Sequence, residues 1–390
     1  MKNVVGNPAR GENFFRRERE VRKILTSISN GNNIQIAAPR RVGKTSILFH
    51  MLDEASGGYK YVYVDTESID AEEDFYKKLL KEILKLPGMQ RAGEKFLKTA
   101  NSFARRIKGL KILEVGIDFE DDHVAISYYE DLVHFLSGIE LDTNEQLIIL
   151  IDEFPQTILN ILARHGIDAT TRFLQSNRTL RINPDILDKV RFIYTGSVGL
   201  NHTVAAIDST AFINDLNTLE IEPLGKEEAA LFLAGLLATR GVVIRDIARE
   251  HLLKKLEWLI PFHIQLLVQE LLRMDLSNSS VDCHHVDLAF EEIVSTRNDN
   301  HFVHYYSRLK TQFKGQELKY VSEILRIMAD SGCISQVELF DKAVFFEVDG
   351  QYRKIIAILV YDGYIHHISN ENVYRFNSPI VRMWWLKYVY

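Results

Sequence analysis

Residues 38–46 read Ala38-Pro39-Arg40-Arg41-Val42-Gly43-Lys44-Thr45-Ser46, and this stretch decides the fold. A short apolar run, Ile34-Gln35-Ile36-Ala37, precedes it. A helical pattern, Ile47-Leu48-Phe49-His50-Met51-Leu52, follows it. Strand, loop, Gly-Lys-Thr, helix is the local context of a loop that cradles phosphate. Successive backbone N–H groups and the positive end of a helix make a concave anion site. Lys44 has the length to reach β- and γ-phosphates, and the Thr45 hydroxyl suits Mg²⁺. Such loops usually open on glycine, and here Ala38 stands in that place. Alanine is tolerated there if its φ stays negative.

A second stretch supplies acids. Gln146-Leu147-Ile148-Ile149-Leu150-Ile151 is a nearly continuous apolar run ending in Asp152-Glu153. Such a run suits a strand buried on both faces of a parallel sheet. An acid at its carboxyl end can hold the Mg²⁺ shell, the role expected of Asp152. A neighbouring glutamate, Glu153, can polarise water against a γ-phosphate. A small-molecule kinase has no need of that group, whereas a hydrolase or nucleotide-driven switch does. Val190-Arg191-Phe192-Ile193-Tyr194 reads as another buried strand, followed by Thr195-Gly196-Ser197. Either hydroxyl could orient the attacking water or sense the γ-phosphate, and Thr195 is preferred because it stands at the strand tip. Tyr59 to Asp65 is strand-like, and Thr218-Leu219-Glu220-Ile221 is a weaker fifth strand. Strands alternating with helices predict an α/β domain with its ligand at the strand carboxyl ends.

Other charged groups have ordinary surface readings beside functional ones. Arg40 and Arg41 lie inside the loop and could face phosphate, a neighbouring subunit or solvent. Arg172, Arg178 and Arg181 follow the acidic strand, and one could serve as an arginine finger. His263 is either structural or a nucleotide contact from a lid.

The chain has 390 residues, 46% of them hydrophobic, with a net charge of −6. That length predicts more than one domain. No apolar run approaches the roughly 18–20 residues that cross a bilayer. The start of the chain shows no secretory pattern, so a cytoplasmic location without membrane contact is expected. Cys283 and Cys333 have no ligand partners at metal spacing, and reduced structural thiols are expected. The organisation expected is a core over 1–225, helices over 226–300, and a last region over 301–390. Residues 88–125 read as an insertion containing a hairpin. Residues 295–314 read as a polar connection. Helical stretches near 316–330, 335–344 and 350–362, then a hairpin over 364–376, predict a winged helix-turn-helix. Arg353, Lys354, His366, His367 and Arg375 are its candidate DNA-reading groups. A protein-contact role fits the same elements.

Together these motifs resemble the predominantly archaeal ATPase family, a STAND-like branch of the AAA+-related P-loop ATPases near the origin-recognition initiators. Phe14-Phe15-Arg16-Arg17-Glu18-Arg19-Glu20 resembles the family's entry motif near the adenine, with Arg16 in place of its glycine. Pro39 to Ser46 is similar to its Pro-Arg-Arg-x-Gly-Lys-Thr-Ser form. Asp152-Glu153, Thr195-Gly196-Ser197 and Pro261-Phe262-His263-Ile264-Gln265-Leu266-Leu267 resemble its acidic strand, its Thr-Gly-Ser strand end and its lid motif. Phe376 to Trp385 resembles its tail. The resemblance implies an α/β P-loop NTPase core, a helical lid and a winged helix. It implies ATP and Mg²⁺ as cofactors, with Phe15, Arg17 and Pro261 joining the loop in nucleotide binding. ATP or ADP, a second copy of the chain, and double-stranded DNA or a protein at the winged helix are the expected partners.

Overall fold

The computed structural model describes residues 1–55, 57–87, 89, 127–274 and 280–389. The expected 88–125 insertion and its hairpin lie outside these, Met89 apart. The described chain forms two compact units, one of Arg17–Ala37 with Ile47–Glu220, the other of Met1–Arg16, Ala38–Ser46 and Ile221–Tyr390.

The first unit is built on a parallel sheet. Strands β1 (Asn33–Ala37), β2 (Tyr59–Asp65), β3 (Gln146–Asp152), β4 (Val190–Tyr194) and β5 (Leu216–Glu220) stand in the order β2-β3-β4-β1-β5. Every pairing is parallel, so each crossing between neighbours runs through intervening chain. Leu147 to Ile151 are wholly buried, as a strand covered on both faces must be. Phe75, Phe154 and Phe173 fill the core beside them, ring centroids 5.0–5.8 Å apart. The fifth strand begins at Leu216, two residues before the expected start.

Helices Glu72–Leu84 and Tyr128–Gly138 match the periodicity of the sequence. The stretch Phe154–Arg181 breaks at Gly166, where φ is 79° and ψ −178°. Only glycine takes that conformation without strain, so the break is encoded at one residue.

The order of the sheet has a direct result. The carboxyl ends of β1, β4 and β3 stand side by side, with β4 in the middle. The segment after β1 is the 38–46 loop, and the segments after β3 and β4 carry Asp152-Glu153 and Thr195-Gly196-Ser197.

The second unit is mainly helical. Helices Lys226–Ala238, Asp246–Leu256, Pro261–Arg273 and Cys283–Ile293 match the strandless pattern expected there, apart from one parallel bridge between Ile244 and Val281. The polar connection expected at 295–314 is instead largely helical, with a helix over Val303–Gln312. Phe302, Tyr305, Leu309 and Phe313 are buried at helical spacing, which outweighs the polar residues between them.

Beyond it come helices Gly315–Ser331, Gln336–Phe345 and Tyr352–Tyr361. Strands β6 (Ile334–Ser335), β7 (Ile365–Ile368) and β8 (Val373–Phe376) form an antiparallel sheet in the order β6-β8-β7. Gly332, with φ 92°, ends the first of these helices, and Ser335 caps the next by accepting from Glu338 N at 3.1 Å. Helix Pro379–Tyr388 closes the unit with Trp384 and Trp385 buried. No helix among the described residues is long and apolar enough to cross a membrane.

Candidate functional site

In the sheet unit, the two acids after β3 are held by different partners. Asp152 is 3% exposed. Its Oδ1 accepts from the Thr195 hydroxyl at 3.0 Å and from Glu153 N at 3.1 Å, and its Oδ2 accepts from Tyr63 OH at 3.1 Å. Burial and the charge of Asp152 push the Tyr63 phenol well above its ordinary pKa, so it stays a donor. Glu153 takes a left-handed backbone, φ 58° and ψ 30°. Its Oε2 accepts from Ser197 N at 3.0 Å and from Ser197 Oγ at 2.9 Å. A left-handed non-glycine residue at a strand end carries strain, and such strain concentrates at functional positions.

Thr195 and Ser197 therefore hold different acids. Thr195 donates to Asp152, and Ser197 anchors Glu153. Gly196 is required between them, because a Cβ there would lie 2.5 Å from Pro155 Cδ. Gly196→Ala should lower the stability of the sheet unit by about 1–3 kcal/mol, because the added methyl overlaps the Pro155 ring. Thermal melting of the variant checks this, and an unchanged melting temperature would show that Pro155 yields.

In the second unit, the 38–46 loop explains its own sequence. Lys44 is buried, and its Nζ donates to the carbonyls of Ala38 and Pro39 at 2.9 and 2.8 Å. Positive φ falls on Arg41 (65°) and Gly43 (103°) and not on Ala38. The missing first glycine is thus tolerated on the terms the sequence set. Ser46 Oγ accepts from Ala9 N at 3.0 Å.

Arg41 is half-buried against aromatic rings. Its guanidinium lies 3.7 Å from the ring centre of Phe262, and its Nη2 is 3.5 Å from His304 Nδ1. Among the described residues its buried Nη1 has no hydrogen-bond partner. Burial lowers its pKa to about 10, so it remains a cation at neutral pH. Pro39 is equally enclosed. A Cβ on Gly363 would lie 2.9 Å from Pro39 Cβ and 2.8 Å from Trp258 Cη2, and φ of 79° reserves that turn for glycine.

Histidines surround this contact. His263 is fully buried, with Nδ1 3.3 Å from Ser378 Oγ. It is a structural histidine, the first of the two readings offered by the sequence. Burial, then the charge of Arg41, pushes its pKa down to about 3, and that of His304 to about 2. Both are neutral when folded. Below about pH 6.5 the unfolded chain takes up protons that the folded chain refuses, so stability falls as pH falls. The loss approaches about 1.4 kcal/mol per pH unit for each histidine. Melting temperature should decline from pH 7 to pH 5, and His304→Asn should flatten the slope.

The remaining expected residues fall as follows. Pro261 opens helix Pro261–Arg273 at its first position, where its missing N–H costs nothing. Gln265 of the same helix donates to Val4 O at 3.0 Å and accepts from Asn3 Nδ2 at its carbonyl at 2.9 Å. Phe15 stacks on Phe232 with centroids 5.2 Å apart. Arg17 belongs to the sheet unit, where it bonds Glu20 at 2.9 Å. Of the finger candidates, Arg181 is committed elsewhere. It is 1% exposed and doubly bonded to Asp215, at 2.8 Å twice, and also bonds Asn177 and Phe212 O. Arg178 lies 3.8 Å from the same Asp215.

No family model matches this chain, and no curated protein does. Among solved structures, it is similar to the Walker-type ATPase PABY2304 of Pyrococcus abyssi over 98% of this chain and 99% of that one, at 19% identity and TM-score 0.64. It is similar to the ORC2 protein of Aeropyrum pernix, in ADPNP–ADP complexes, over 96% and 94%, at 12% identity and TM-score 0.55. The chain has the fold of a Walker-type ATPase. At these identities the likeness concerns the fold alone.

Proposed function

We propose that this protein binds ATP with Mg²⁺, hydrolyses it, and works as a nucleotide-controlled switch of the STAND-like kind. Pro39, Arg40, Arg41, Val42, Gly43, Lys44, Thr45 and Ser46 hold the phosphates, and Phe15, Arg17 and Pro261 serve the nucleoside side. Thr45 and Asp152 hold Mg²⁺, Glu153 polarises water, and Thr195 keeps Asp152 in place. Among the described residues no group of three or more His, Cys, Asp or Glu is placed to hold a metal. Magnesium carried on phosphates needs only one or two protein oxygens, so this donor set fits it. When bound, it supplies neutralisation of phosphate charge. The parts are a core over 1–225, a lid over 226–300 and a winged helix over 301–390, in a cytoplasmic protein able to self-associate.

One observation carries the switch. Arg41 and Pro39 of the loop pack on Phe262, His304 and Gly363 within a single compact unit. A buried guanidinium N–H without a hydrogen-bond acceptor is costly where it stands, and phosphate would satisfy it better. Movement of the loop toward phosphate would release the contacts on helices Pro261–Arg273 and Val303–Gln312. Hydrogen exchange of residues 296–313 with and without ATP tests this. Exchange should quicken with nucleotide in the parent and be fast in both states in Arg41→Ala. A parent whose exchange ignores nucleotide would overturn the switch. Exposed Arg353 and Lys354 favour a second reading, a nucleotide-regulated protein that binds duplex DNA through the winged helix.

A further inference from the structure

Helix Gln336–Phe345 has two apolar faces where a surface helix needs one. Leu339 and Ala343 are buried in the unit. Val337, Phe340, Val344 and Phe345 are 69%, 44%, 51% and 75% exposed. Val337, Phe340 and Val344 lie within about 60° of the helix circumference, and Phe345 extends the stripe past its last turn. Tyr352 continues it on the next helix, with its ring edge-on to Phe340 at 5.4 Å. Scattered exposed apolar residues are ordinary, but a contiguous stripe with polar borders marks an interaction surface.

The charges around the stripe say what covers it. Exposed Asp341 lies in the stripe itself, and exposed Glu347 and Asp349 follow its carboxyl end. The helix dipole adds negative potential at that end. Lys342 turns away to Glu323, 3.4 Å off. Arg353 and Lys354 stand beyond Tyr352, where the Arg353 guanidinium lies 5.9 Å from the Tyr352 ring centre. An apolar stripe with acids inside it repels a phosphate backbone. A second copy docked about a two-fold axis would bring both sets of Asp341, Glu347 and Asp349 into one interface.

We propose that this face docks a protein partner through an amphipathic helix, apolar along one stripe and basic beside it. The partner's apolar ridge packs over Val337, Phe340 and Val344, and its basic flank meets Asp341, Glu347 and Asp349. Arg353 and Lys354, on the far side of Tyr352, fix its direction. The proposal is independent of nucleotide chemistry.

Two synthetic helical peptides serve as probes for the full chain. Both carry a leucine stripe, one flanked by lysines and the other by glutamates. In fluorescence anisotropy at low salt, the lysine peptide should bind at least about tenfold more tightly than the glutamate peptide. It should also slow hydrogen exchange over residues 336–345. The double variant V337E/F345E should lose about tenfold or more in affinity at an unchanged melting temperature, and Asp341→Lys should narrow the preference between peptides. Equal binding of the two peptides, or binding indifferent to these variants, would overturn the proposal. So would sedimentation showing self-association that V337E/F345E abolishes, which assigns the face to a second copy. A duplex DNA fragment that the parent binds and V337E/F345E does not would overturn it in favour of nucleic acid.

Discussion

Glu153→Gln should lower ATP turnover by on the order of 10²–10⁴-fold while nucleotide affinity changes little. The amide keeps the shape of the side chain and one oxygen for Ser197, but it cannot take a proton from water. Lys44→Ala should fail earlier, at capture. It removes the cation assigned to the β- and γ-phosphates, so binding of a fluorescent ATP analogue should weaken at least about a hundredfold. The pair separates two failures that an activity measurement alone would merge. If both variants turn over ATP like the parent, the assigned site is wrong. If only Glu153→Gln does, the water is activated by another group, and the capture role of Lys44 stands.

Arg181→Met should destabilise the sheet unit by about 3–5 kcal/mol. Asp215 would keep its charge beside a side chain that can no longer pair, and Asn177 and the Phe212 carbonyl would each lose a donor. Tyr194, which donates to Asn177 at 2.9 Å, links this network to β4 and so to the segment bearing Thr195. The measurement is a chemical or thermal denaturation followed by a probe in the sheet unit. A loss below about 1 kcal/mol would show that Asp215 reaches solvent on its own.

How much of this was legible in the sequence follows from the range of each signal. The 38–46 loop and the Asp152-Glu153 strand end are short patterns, each complete within ten residues, and both were readable. The five-stranded α/β fold followed from them, since apolar runs at every position demand a sheet covered on both faces. The pairs Tyr63–Asp152 and Ser197–Glu153 were not legible, because each joins different strands and depends on the order β2-β3-β4. Helix Val303–Gln312 was hidden by its polar residues, although Phe302, Tyr305 and Leu309 already carried its spacing. Arg41 was visible as a loop residue, but its resting place between Phe262 and His304 depends on three segments distant in sequence. Arg181 reads as a finger candidate in sequence because its partner Asp215 lies 34 residues away.

The sheet order also governs how the protein is made. Ile34 of β1 pairs on one side with Ile193 of β4 and on the other with Asn217 of β5. A chain synthesised from its amino end therefore displays β1 with both edges bare until β4, and at last β5, has emerged. Parallel pairings of this span are slow to form, and bare edges attract strands of other chains. β1, the first strand made, is the last interior strand to be paired on both edges. The nascent protein thus meets its greatest hazard of misassociation before Glu220 has left the ribosome.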